Sequence, residues 1–194
     1  MGSWQVFYAG RQAQCCGTAF SVGDEVKWPL LLADADELLG GGWCEELSKV
    51  VGPVERVRDE DGGAIDAIRS EEGFLVALPE ERVPEDPVDE SPREEGGWIR
   101  RVGMLTVEWH GAEWPLSAGT VRAIRLVNQR YTATAPGSRT REPMPGERSM
   151  RSADTWPNWS ELAGTRTPED LVETGALVTI DIPGATPREP RDPC

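Results

Sequence analysis

Two stretches decide how this chain folds: VGDEVKW at residues 22–28 and VGMLTVEW at residues 102–109. In each, a Val-Gly step leads into alternating apolar and polar residues that end in a tryptophan, Trp28 or Trp109. Alternation with period two marks a half-buried strand, because successive side chains point to opposite faces of the sheet. The two stretches also continue alike. The first is followed by Leu47-Ser48, Gly52 and Val54, the second by Leu116-Ser117, Gly119 and Val121. This parallel predicts an internal repeat. The fold class it implies is mainly β, with two related small barrel-like or half-barrel units of about five short strands each. Closure into barrels would hide the edges of such short strands.

Other segments fill in the two units. Residues 4–8 (WQVFY) and 20–28 read as strands, the second broken by a Gly-Asp turn at Gly23-Asp24. Residues 30–39 (LLLADADELL) place apolar side chains at three- and four-residue spacing before Gly40-Gly41-Gly42, which predicts one short helix near 33–39. Residues 50–58 carry a Gly-Pro step and read as an edge strand. Residues 74–78 (FLVAL) and 119–131 read as further strands. The first unit then spans 1–78 and the second 98–135, with a Pro-rich tail at 136–194 that offers a strand at 176–182 (ALVTIDI).

Between the units, residues 79–97 hold four prolines and eight acids against two arginines. Such a segment buries too little apolar surface to offset its ordering entropy, so it reads as an acidic linker or loop. It also explains the charge. The chain of 194 residues carries a formal net charge of -14, yet residues 59–97 alone hold 14 acids against 3 bases. Residues 98–135 are mildly basic, with Arg100, Arg101, Arg122, Arg125 and Arg130 against two acids. Net negative charge repels phosphate, so nucleic acid is an unfavourable partner. No run approaches the roughly 18 apolar residues of a membrane span, and no charged-then-apolar leader opens the chain. The expected setting is the cytoplasm, without a membrane partner.

The sharpest local motif is Cys15-Cys16-Gly17. Adjacent cysteines close a disulfide only through a strained ring, so reduced thiols are expected. With Cys44 and His110, the only histidine, they make a possible Cys3His zinc set. Against that, zinc sites draw paired ligands from two- to four-residue spacings, and Cys44 and His110 are solitary. The plainer reading is buried reduced thiols near a turn, with Gly17 supplying the unusual backbone. A Cys–His pair meeting in space is a further option, since such partners need not be neighbours in sequence. Neither a phosphate-cradling loop nor a Gly-x-Ser-x-Gly nucleophile motif occurs.

Eight tryptophans outnumber the three phenylalanines and two tyrosines together. Trp28 and Trp109 end alternating strands and read as core. Trp43, Trp114, Trp156 and Trp159 stand beside Gly or Pro in turns and tail, where they could form an aromatic surface for a partner. The chain's own Pro-rich tail is an equal candidate to cover them.

The opening WQVFYAGRQAQCCGTAFSVGDEVKW resembles that of a family of uncharacterised proteins from high-GC Gram-positive bacteria. Its signature is Cys-Cys-Gly-x-x-Phe-x-Val-Gly-Asp, matched by Cys15, Cys16, Gly17, Phe20, Val22, Gly23 and Asp24. The resemblance implies a shared fold and carries no activity, cofactor or partner. The function expected on these grounds is a cytosolic binding or regulatory module acting through an unknown protein partner. The alternatives are a thiol- or zinc-dependent protein using Cys15, Cys16, Cys44 and His110, and an acidic mimic of nucleic acid.

Overall fold

The computed structural model describes residues 2–58, 61–79, 97–157 and 171–183. The fold is mainly β, as the alternation predicts, and it contains a closed five-stranded barrel. The barrel strands are β4 (Leu30–Ala33), β5 (Ser48–Arg58), β6 (Ala64–Arg69), β7 (Leu75–Ala77) and β8 (Trp98–Val107). They close in the order β4-β7-β6-β5-β8, with β8 returning to β4. Only the β4–β7 pairing on this circuit is parallel.

β8 belongs to two structures at once. Its first half pairs with β5, from Pro53↔Trp98 to Ser48↔Gly103, and its second half pairs with β4. That second half also lies beside β1 (Gly2–Ala9), which continues the sheet through β12 (Leu171–Ile182), β9 (Ser117–Ala133) and β10 (Arg141–Ala153). β3 (Glu25–Trp28) pairs with the start of β9. The strands expected to form two units are thus interleaved. β8, read as the start of the second unit, completes the barrel of the first, and the tail strand β12 sits centrally between β1 and β9.

The Val-Gly steps of the apparent repeat also differ in place. Gly23 sits in a turn at φ 98°, whereas Gly103 lies inside β8. A Val-Gly step serves equally well in either setting, so similar spelling did not mean an equivalent position.

Local chemistry explains where other readings shifted. In residues 30–39 the helix α2 (Ala35–Leu39) forms where expected, capped by Asp34, whose carboxylate accepts from the backbone N–H of Asp36 at 2.8 Å. Leu30–Ala33 is a strand instead, since a short apolar run serves a buried strand as well as a helix. The Gly-Pro step of β5 marks a barrel corner, not an edge. There β5 passes from β8 to β6, and a Cβ on Gly52 would run into the Arg69 carbonyl oxygen.

The main core gathers Val6, Leu30, Val50, Ile68, Val76, Leu105, Val121 and Val178 from both parts of the sheet. The tail contributes Trp156 as well as Val178 and its β12 neighbours; Trp156 lies in β11 (Thr155–Trp156), which pairs with β2 (Phe20–Ser21). Trp156 lies 4.9 Å from Tyr8 and 5.8 Å from Phe20, ring to ring. Trp28 joins the same aromatic cluster at 5.3 Å from Tyr8. Trp43 and Trp114 are buried as well, and Arg148 of β10 stacks 4.2 Å over the Trp43 ring. The aromatic surface expected of Trp43, Trp114 and Trp156 is therefore interior packing, much of it against the tail. Trp159 and residues 80–96 of the acidic segment lie outside the described residues. Among the described residues, no helix is long and apolar enough to cross a membrane.

Candidate functional site

One end of the aromatic cluster carries the thiols. A six-residue helix, α1 (Gly10–Cys15), follows β1 directly and delivers Cys15 and Cys16 to the surface. The chain must then turn tightly over Tyr8. Gly17 permits this, because a Cβ there would meet the Tyr8 hydroxyl at 2.5 Å and Ala13 Cα at 2.7 Å. The thiols are exposed, which corrects the expectation of buried ones.

His110 comes from the turn after β8, and it meets them. Its Nε2 lies 3.1 Å from Cys15 Sγ and 3.5 Å from Cys16 Sγ, and the Cys16 thiol donates to Cys15 Sγ at 2.9 Å. All three ligand atoms fall within 4.8 Å of one another. Cys44 is not part of this group, and it is disulfide-bonded, which corrects the expectation of reduced thiols at that position. It opens a 3-10 helix (Cys44–Glu46) on the wall of a separate cavity of about 440 Å³. Of the four residues read as a Cys3His set, the fold brings together three.

What holds the two halves in register is Gln12, only 1% exposed. Its amide nitrogen donates to Glu108 Oε1 at 2.6 Å, and its amide oxygen accepts from the Trp109 backbone N–H at 3.1 Å. Glu108 Oε1 also accepts from the His110 backbone N–H at 2.9 Å and lies 3.7 Å from His110 Nδ1. Beneath them the Trp109 indole donates to the Tyr8 hydroxyl at 2.7 Å. Helix α1 and the β8–β9 turn are thus joined by half-buried polar contacts. A Gln in a six-residue helix leaves no periodic signal, so only the spatial pairing of cysteine with histidine was open to inference.

The electrostatics of the site are negative. The Cys15 thiol donates to the Gln12 carbonyl at 3.5 Å, and the Cys16 backbone N–H donates to the same oxygen at 3.1 Å. The Cys16 thiol is pushed above its ordinary range, chiefly by its hydrogen bond to Cys15, with Glu108 adding to the effect. Burial raises the Tyr8 hydroxyl, against the hydrogen bond from Trp109. A nucleophilic cysteine needs an electropositive setting that lowers its pKa, and the surroundings of Cys16 act the other way. Two soft sulfurs and an imidazole in a negative field suit a cation.

Comparison with known proteins adds a family. The model of a family of unknown function (DUF6578) matches residues 2–182, which include every residue of this site. No curated protein and no solved structure matches the chain.

Proposed function

The chain belongs to that family of unknown function, and we propose that within its fold the chain binds a thiophilic metal ion of the zinc class. Cys15 Sγ, Cys16 Sγ and His110 Nε2 would be the protein ligands. The observation that carries this reading is their convergence within 4.8 Å from two separate elements. A Cys2His set leaves one position of a tetrahedral ion open to water or to an outside ligand.

Glu108 supports the same reading. It stands beside His110 Nδ1, where carboxylates orient metal-bound imidazoles and raise their basicity. The protein is then a binding or regulatory module whose exposed Cys15 and Cys16 thiols are free to coordinate. The reading as an acidic mimic of nucleic acid gains no support, since ten of the 14 acids in residues 59–97 lie outside the described residues.

Cobalt(II) titration of the reduced protein tests the proposal. Thiolate-to-cobalt charge transfer, displaced by one equivalent of zinc and lost in Cys15→Ser and Cys16→Ser, is the expected result. Cobalt spectra without that band would overturn it.

A further inference from the structure

The outer face of the β5–β8 pair is a second surface of unusual composition. Trp98, Arg100 and Val102 alternate outward along β8, and their cross-strand partners on β5 are Pro53, Val51 and Lys49. Directly paired residues share a face, so these six form one patch on the outside of the barrel. Trp98 is 62% exposed and Val102 55%, the two largest values among the exposed large apolar side chains described. A clustered Trp and Val at such exposure is the kind of surface that marks an interaction site.

The charges of the patch are equally telling. Several cations of the chain pair with its own acids: Arg69 with Glu55, Arg122 with Asp181, Arg130 with Glu147, and Arg148 with Glu46. Lys49 and Arg100 make no ion pair among the described residues, although the chain carries 34 acids to 20 bases. Two cations are left unneutralised on either side of an apolar row.

We infer that this face docks an acidic peptide segment of a partner protein, one whose carboxylates alternate with valine or proline. Its carboxylates meet Lys49 and Arg100, while its apolar side chains pack on Trp98, Val102, Val51 and Pro53. Single-stranded nucleic acid suits the face less well. A phosphate backbone is held by a track of many cations, and this face offers only Lys49 and Arg100. The patch is small, so the contact is of the weak, transient class.

A labelled synthetic peptide of alternating Glu, Val and Pro, added to the full chain and followed by fluorescence anisotropy, tests this. Salt-sensitive binding, weakened roughly tenfold by the Lys49→Glu/Arg100→Glu pair and also by Trp98→Ala, is expected. These side chains are exposed, and circular dichroism checks that the variants fold. Three results would each overturn the inference: absence of binding, affinity unchanged in both variants, or tighter binding of an oligo-dT strand than of the peptide.

Discussion

Gln12 Nε2 donates to Glu108 Oε1 at 2.6 Å across 96 residues of sequence, tying the helix that bears the thiols to the turn that bears His110. Through this bond, two surface segments become one site. Gln12→Ala leaves the Trp109 N–H without its partner and takes one of two donors from the half-buried Glu108 carboxylate, which keeps the His110 N–H. The expected loss is about 1–3 kcal/mol of stability, measured by urea denaturation. Zinc affinity should fall roughly 10- to 100-fold in a competition titration, as it does when a ligand's supporting shell is removed. Unchanged zinc affinity would mean that the tie is merely structural.

The barrel depends on Gly52. There β5 exchanges one neighbour for another, and any side chain meets the Arg69 carbonyl. Gly52→Ala should destabilise by about 1–3 kcal/mol or more by overpacking. Gly62→Ala is a useful contrast, because space there is open and the cost is only that of its φ of +78°. Urea midpoints of the two variants give the comparison, with Gly52→Ala expected to be the lower.

Trp156 tests whether the tail is part of the core. Its ring is packed against Tyr8 and Phe20 beneath the thiol site. Trp156→Ala should cost about 3–5 kcal/mol, as for other buried large aromatics. A thermal melt little different from that of the unaltered chain would return Trp156 to the surface.

Asp181 gives a pH signature. It accepts from Ser3 Oγ at 2.6 Å and from Arg122 Nε at 2.7 Å, and these contacts, Ser3 first, hold its carboxyl below the ordinary range. A depressed carboxylate adds stability above its unfolded pKa and loses it as pH falls through the folded one. Asp181→Asn should therefore be less stable at pH 7, by about 0.5 kcal/mol given solvent screening. The gap should close below about pH 4. A gap that persists in acid would assign the effect to packing.

Parts of this were legible in the sequence for definite reasons. The alternation ending in Trp28 exposes β3 because one face is buried, and Asp34 and Gly40 bracket α2 by their backbone preferences. β10 went unread because it is a sheet edge whose residues are all exposed or half-buried, so no apolar period marks it. β6 (AIDAIR) buries only Ala67 and Ile68 and likewise shows no clean alternation. Helix α1 is too short for any period. At the site, Cys15, Cys16 and His110 were identifiable as chemical types, but only the fold shows that Cys44 lies elsewhere and that Gln12 and Glu108 join the rest. Trp98 escaped notice because its strand neighbours, arginines and valine, resemble those of any half-buried strand.

The central claim is that Cys15, Cys16 and His110 form one metal site. Metal analysis of reduced protein equilibrated with zinc and freed of excess tests it most directly, alongside Cys16→Ser and His110→Ala. The prediction is one zinc per chain in the unaltered protein and a clear drop in both variants. Zinc well below stoichiometry in the unaltered chain, or equal content in all three, would contradict it.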